Sequence, residues 1–358
     1  MTLAVSIAQG GSNNVTQRNR IINGAMVIDQ RNAGASVSFG TGYTVYLDRW
    51  QGRFSSGAGS PTIGQSSTAP AGFVNSLLAT NGTVGTVSAA SNNSLFTIIE
   101  GYNIADLNWG TSNAKPVTLS FWVRSSLTGT FGGSFQNYNN DRSYPFTYTI
   151  SSANTYQQIT ITIAGDTTGT WNTTNSGGIV LWWDLGFGSN YQGTAGAWAA
   201  GDKRTATGVT QFVTNASATF YITGVQLEAG TTASPFEYRQ YGTELALCQR
   251  YYQQIGGYSY IAVGIGINFS SSQIVRGAYV KFNTTMRSAP SASITGTLIS
   301  TDRTAYDTDI SGIAGSNIGI DSGNFAFNKS AVSGNDAAPT QIAVKSSTTA
   351  YLVLNAEL

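Results

Sequence analysis

The chain has 358 residues, enough for roughly two or three domains by the usual length prior, with Gly at 42 positions, aromatics at 11% and charged residues at only 10%. The formal net charge is +1 and Lys and Arg form no run, which removes the footprint of a nucleic-acid binder; the complete lack of histidine removes Ser-His-Asp and Cys-His nucleophilic systems and the commonest zinc sites. A single cysteine, Cys248, permits no intrachain disulfide, and no stretch reaches the length of a membrane span, so packing or assembly must supply stability.

Residues 1–19 are rich in Gly, Ser, Asn and Gln (Gln9-Gly-Gly-Ser-Asn-Asn-Val-Thr-Gln17) and show no sustained period; they read as an extended arm of the kind that docks on something else, or equally as a frayed terminus. They also lack the basic start and long apolar core of a signal peptide, so a soluble cytoplasmic product is expected. From Arg20 onward, short apolar runs alternate with turn clusters in the manner of an antiparallel β-sandwich. In Val117-Thr-Leu-Ser-Phe-Trp-Val-Arg124, the residues Val117, Leu119, Phe121 and Val123 share one face, and Thr118, Ser120, Trp122 and Arg124 share the other. Tyr144, Phe146, Tyr148 and Ile150 form a second apolar face, Ile159-Thr-Ile-Thr-Ile163 a third, and Ile179, Leu181, Trp183, Leu185 and Phe187 a fourth. In Phe220-Tyr-Ile-Thr-Gly-Val-Gln-Leu-Glu228 the apolar parity changes across Gly224, which predicts a β-bulge there.

Beyond Arg239, Leu245, Cys248 and Tyr252 recur at helical spacing, predicting one short helix over 243–256. Alternation resumes with Ile261, Val263, Ile265, Ile267 and Phe269 and continues to Tyr351–Leu354, so residues 257–358 read as a second, smaller β-domain. Its turn-rich middle, from Asp302 to Gly334, suits variable surface.

Several stretches resemble a module of tailed-bacteriophage tail-fibre and appendage proteins. They are Asn19-Arg-Ile-Ile-Asn-Gly-Ala-Met26 with Asp29-Gln-Arg-Asn-Ala-Gly34, Asp48-Arg-Trp50, Leu119-Ser-Phe-Trp-Val-Arg124 with Leu127-Thr-Gly-Thr130, Gly224-Val-Gln-Leu-Glu-Ala-Gly230 with Pro235-Phe-Glu-Tyr-Arg239, and Glu244-Leu-Ala-Leu-Cys-Gln-Arg-Tyr-Tyr252. The resemblance implies an all-β protein: a jelly-roll β-sandwich similar to carbohydrate-binding modules over 20–242, opened by the first motif and closed by the Val-Gln-Leu-Glu strand, then one short helix and a smaller C-terminal β-sandwich domain. It departs from the family at the N-terminus, where fibres often carry a long shaft and a short arm stands here. No cofactor is expected; the resemblance allows a structural calcium, often held by jelly-roll carbohydrate modules, whose ligands the sequence does not identify. Asp302-Arg-Thr-Ala-Tyr-Asp-Thr-Asp309 gathers three carboxylates without the Gly and terminal Glu of an EF-hand, and reads as a solvated turn.

The candidate ligand-binding residues are Trp122, Arg124, Trp182 and Asp184, because both indoles fall on the polar faces of their strands, where a ring can stack on a sugar. The alternative is that a loop, a neighbouring subunit or the second domain covers those faces. Trp183, among Ile179, Leu181 and Leu185, is core. Glu100, Asp184, Glu228 and Glu237 could in principle supply the paired carboxylates of a glycosidase, but nothing aims two of them at one cleft, and Glu228 is expected beside Arg239 or Arg49.

The resulting expectation is a non-enzymatic virion protein, a tail-fibre or receptor-binding appendage facing host glycans. A capsid decoration or head-fibre protein is the alternative, and a glycan-degrading enzyme a lesser one. Its expected partners are other virion proteins, through the arm, and further copies of itself in a homotrimer, since symmetric association covers sheet edges that a lone sandwich leaves open.

Overall fold

The computed structural model describes residues 18–40, 42–269, 274–301, 308–329, 339–346 and 349–358. They belong to two compact units, Met1–Arg239 and Gln240–Leu358. Of the expected arm only Arg18 and Asn19 lie among the described residues, and both are bonded into the first unit.

The first unit is a jelly-roll sandwich of two antiparallel sheets. One sheet has the order β1 (Val37–Ser38), β4 (Pro61–Ser66), β5 (Ser76–Asn81), β15 (Thr219–Ala229), β7 (Val117–Ser125) and β10 (Gln157–Ile163). The other runs β13 (Ala199–Ala200), β9 (Arg142–Ile150), β8 (Gly129–Asn137), β11 (Gly177–Asp184), β6 (Ser94–Glu100), β3 (Trp50–Arg53) and β2 (Tyr43–Leu47). Alternation in β7, β8 and β11 sends Leu119, Phe121, Val123, Phe131, Phe135, Leu181 and Trp183 between the sheets, where all are fully buried. Trp183 is the hub, with its ring centroid 5.3 Å from that of Trp50 and 5.8 Å from that of Phe121.

The bulge expected at Gly224 is present: the β15–β7 register shifts between Thr223 and Gln226, and Gly224 has φ of 61°. The apolar set expected from Ile179 to Phe187 holds only to Leu185. Strand β11 ends at Asp184, the backbone turns at Gly186 (φ 154°), and Phe187 then packs on Trp182, on the opposite face of the sheet. That face is covered by the segment 187–210, which contributes the short parallel pair β12 (Gln192–Gly193) and β14 (Thr205–Ala206). Strands β6 and β11 are accordingly buried at every residue, on both faces.

The opening and closing motifs are stitched together. The Asn19 side chain donates to Val225 O (3.0 Å) and accepts from Leu227 N (3.1 Å), while Glu237 accepts from Asn19 N (2.8 Å) and Arg239 Nη1 donates to Ile21 O (3.1 Å). Asn23 donates to Ile28 O and Asp48 O, and Trp50 Nε1 donates to Asn23 O. Asp48, Arg49 and Trp50 are all buried, so this motif locks a strand end.

In the second unit the helix α1 (Tyr241–Gln249) is shorter than the 243–256 span expected. Residues after Arg250 leave the helix as β16 (Tyr252–Gly256), which pairs with β24 (Tyr351–Asn355); β24 pairs in turn with β19 (Ser291–Thr295). The remaining strands, β17 (Ala262–Phe269), β18 (Ile274–Lys281), β22 (Ser322–Lys329), β21 (Thr308–Ile318), β20 (Leu298–Thr301) and β23 (Pro339–Val344), close into a six-stranded barrel. The smaller C-terminal β-domain is therefore barrel-shaped where a second sandwich was expected; period-two patterning fixes faces but not closure. Within β17, Val263 is buried but Ile265 and Ile267 are 66% and 46% exposed, because the pairing with both neighbours slips along this strand. Most of the acidic turn expected at 302–309 lies outside the described residues; Asp309, at its end, pairs with Lys345 at 2.8 Å.

Candidate functional site

Two of the four candidate residues share a surface, and the other two lie inside a different face of the sandwich. Trp122 and Arg124 project from β7 onto the outer side of the six-stranded sheet, and both are half-buried. The register places Trp122 between Gln158 of β10 and Thr223 of β15, and Arg124 opposite Tyr221. The Arg124 guanidinium lies 4.7 Å from the Tyr221 ring centroid and 5.9 Å from that of Tyr156, and its Nε donates to Asn154 O at 2.9 Å. A cation over two rings, anchored by a backbone carbonyl, is held in a single orientation.

The bulge extends this surface. A Cβ at residue 224 would stand 2.6 Å from Phe73 Cζ and 3.0 Å from Trp122 Cδ1, so glycine at this positive φ leaves room for both rings beside the bulge. Phe73 in turn packs at 5.1 Å on Phe236 and 5.5 Å on Tyr238, which is 61% exposed. Tyr156 is fixed by Ser76, 2.8 Å from its hydroxyl, and by donation to Thr68 O at 2.7 Å. The result is a band of partly exposed rings, Tyr156, Tyr221, Trp122, Phe73 and Tyr238, with one guanidinium among them and the exposed side chains of Gln158, Thr160 and Thr162 along its border. Flat π-faces flanked by hydroxyl and amide groups can stack on pyranose rings and hydrogen-bond their hydroxyls. Phe73, Tyr156, Tyr221 and Tyr238 were not singled out from sequence. The usable signal was Tyr221, which shares the outward parity of Thr223 in β15; Phe73 and Tyr238 sit on loops, where no period exists.

Trp182 and Asp184 require correction as ligand-binding candidates. Trp182 is only 3% exposed: Phe96 packs on it at a tilt with ring centroids 4.5 Å apart, the Arg204 guanidinium lies 4.5 Å from its ring centroid, and its Nε1 donates to Gln136 Oε1 at 2.9 Å. Arg204 is held by a two-pronged bond to Asp202 (2.6 and 2.8 Å) and also lies over Tyr191. Asp184 is fully buried; its Oδ1 accepts from Gly186 N (2.6 Å) and Phe187 N (2.8 Å), and desolvation pushes its pKa up to about 6. Both therefore hold the covering segment 187–210 on its sheet, the loop-covered alternative raised by the sequence. What stays open at that sheet's margin is Tyr43, 57% exposed, beneath the guanidinium of Arg53 at 5.0 Å.

The carboxylates considered for hydrolysis have other occupations. Glu228 accepts from Ser234 N (2.8 Å), Ser234 Oγ (2.5 Å) and Gln226 Nε2 (3.0 Å), with Arg18, rather than Arg239 or Arg49, as its cationic neighbour at 3.6 Å. Glu100, Asp184 and Glu228 are all buried, and Glu237 bonds the opening motif. Among the described residues no three His, Cys, Asp or Glu side chains gather closely enough to hold a metal ion.

No family model and no curated protein sequence matches the chain. Solved structures that it resembles include the enzymatically active domain of tailspike protein 4 of bacteriophage CBA120 (12% identity, TM-score 0.31), where the match covers 59% of this chain and 21% of that one. Others are a protein described as sugar-binding from Bacteroides thetaiotaomicron (10% identity, TM-score 0.33, 60% of this chain and 100% of that one) and the xylan-binding module CBM22-2 of Paenibacillus barcinonensis (15% identity, TM-score 0.30, 55% and 99%).

Proposed function

We propose that this chain is a non-enzymatic structural protein of a phage particle, a tail-fibre or receptor-binding appendage whose sandwich unit contacts neutral glycans on the host surface. The observation that carries the proposal is the half-exposed aromatic band around Trp122 and Arg124, mounted on rigid strands and bordered by uncharged polar groups. The motif resemblance to tail-fibre proteins supports the virion setting. Recognition without chemistry is supported by the carboxylates: Glu100, Asp184 and Glu228 are buried, and Glu237 bonds the opening motif.

The test is binding of the purified protein to host surface polysaccharide, with particle adsorption measured in parallel. Trp122→Ala and Tyr238→Ala should each weaken binding about tenfold, as expected for loss of one stacked ring, while leaving the circular dichroism spectrum unchanged. Undiminished binding by both variants would remove the band from the mechanism. Labelled protein over the head rather than at the tail would favour a capsid decoration role.

We further propose that residues 1–17 anchor the chain in the particle. Deletion should stop there, since Arg18 and Asn19 bond to Glu237 and Val225 in the sandwich. The truncated protein should fold with an unchanged melting temperature yet fail to enter particles; normal incorporation would refute anchoring by this segment.

A further inference from the structure

The geometry points to a second copy of this chain as the partner of strand β10, joined edge to edge in an isologous pair. The other margins of the sandwich are guarded. Strands β1 and β13 are two residues long, β2 carries an irregularity between Val45 and Leu47, and β9 contains Pro145 and has Thr149 O occupied by the Gln157 side chain. Strand β10 has none of these devices. It pairs with β7 in unbroken register over all seven residues, carries no charge, proline or glycine, and among the described residues its outer edge receives no backbone hydrogen bond. Natural sheets rarely leave such an edge open, because its unpaired amides and carbonyls template another strand.

The sequence of β10 suits its own copy. Turned antiparallel about Thr160, the strand sets Thr160 against Thr160, Ile159 against Ile161 and Gln158 against Thr162, so hydroxyl and amide groups meet on one face and half-buried isoleucines on the other. With no charged side chain in the strand, self-pairing meets no repulsion. Antiparallel pairing within a sheet is a twofold operation with its axis normal to the sheet, and it closes at two copies. It would thus give a pair where sequence considerations led us to expect a trimer. The same axis leaves both outer faces on one side, with the two Trp122 side chains about 20 Å apart, from three strand spacings and a four-residue offset. Two copies of the aromatic band would then face one host surface, although the pairing itself does not depend on what the band binds.

Sedimentation equilibrium of the full chain at micromolar concentration should return twice the chain mass of 37.6 kDa. Thr160→Lys puts like charges face to face on the axis at an exposed position and should weaken association at least about tenfold while preserving the fold. Mixing it with Thr160→Glu should restore a heterodimer. A monomer or trimer in the wild type, a Thr160→Lys dimer of unchanged affinity, or a mixture that stays monomeric would each overturn the proposal.

Discussion

Trp182→Ala is expected to destabilise the first unit about as much as Trp183→Ala, by about 3–5 kcal/mol each, whereas Trp122→Ala should cost only about 1–2 kcal/mol. The two adjacent indoles point to opposite faces of β11, yet both are buried, Trp183 between the sheets and Trp182 beneath Phe96, Phe187 and Arg204. Removing Trp182 opens a cavity, strips Arg204 of one of its two rings and leaves Gln136 Oε1 without its donor. Trp122 is only half-buried on the outer side of its sheet, so part of its surface already faces water. Denaturant titrations followed by fluorescence would separate the classes; a Trp182→Ala cost near that of Trp122→Ala would mean that segment 187–210 does not seal the face.

Asp184→Asn is expected to stabilise the protein above pH 6 by up to about 3 kcal/mol and to flatten its stability profile between pH 4 and 6. Burial raises the carboxyl from its ordinary 3.8 to about 6, so across that window the folded state holds a proton that the unfolded state has released. Its contribution is therefore most favourable below pH 4 and is lost as the pH rises through 6; about two pKa units correspond to about 3 kcal/mol. Asparagine keeps the oxygen that accepts from Gly186 N and Phe187 N and carries no charge to desolvate. The measurement is the difference in unfolding free energy between variant and wild type across pH 4–8, because Asp106 and Asp166, with lowered pKa values, impose the opposite slope on both proteins. A difference independent of pH would assign the burial cost elsewhere.

Much of the sandwich was legible in the sequence because antiparallel strands with one buried face write their phase directly: β7, β9 and β10 have the inward sets expected, and the parity break in β15 located the bulge at Gly224. Half of the site followed from the same signal, through Trp122 and Arg124. The other half failed for a definite reason. Alternation says which side of a sheet Trp182 and Asp184 occupy, but the cover over that side comes from residues 187–210, whose docking depends on pairings such as Arg204 with Asp202 and Trp182 that have no period. Ile265 and Ile267 mislead in the converse way: their spacing is that of a buried face, and slipped register turns them outward.

The stitching of Asn19 and Ile21 to Val225, Leu227 and Arg239 bears on how the protein comes off the ribosome. These bonds join positions more than two hundred residues apart, and β15, the third-last strand from one margin of its sheet, is also the last strand of the sandwich to be synthesised. Such high contact order makes folding slow, and no nascent chain that has not reached Ala229, the end of β15, can complete the sheet. Until then β5 and β7, which flank β15, are unpaired with it and stand as separate edges, the condition under which a growing polypeptide is most open to aggregation.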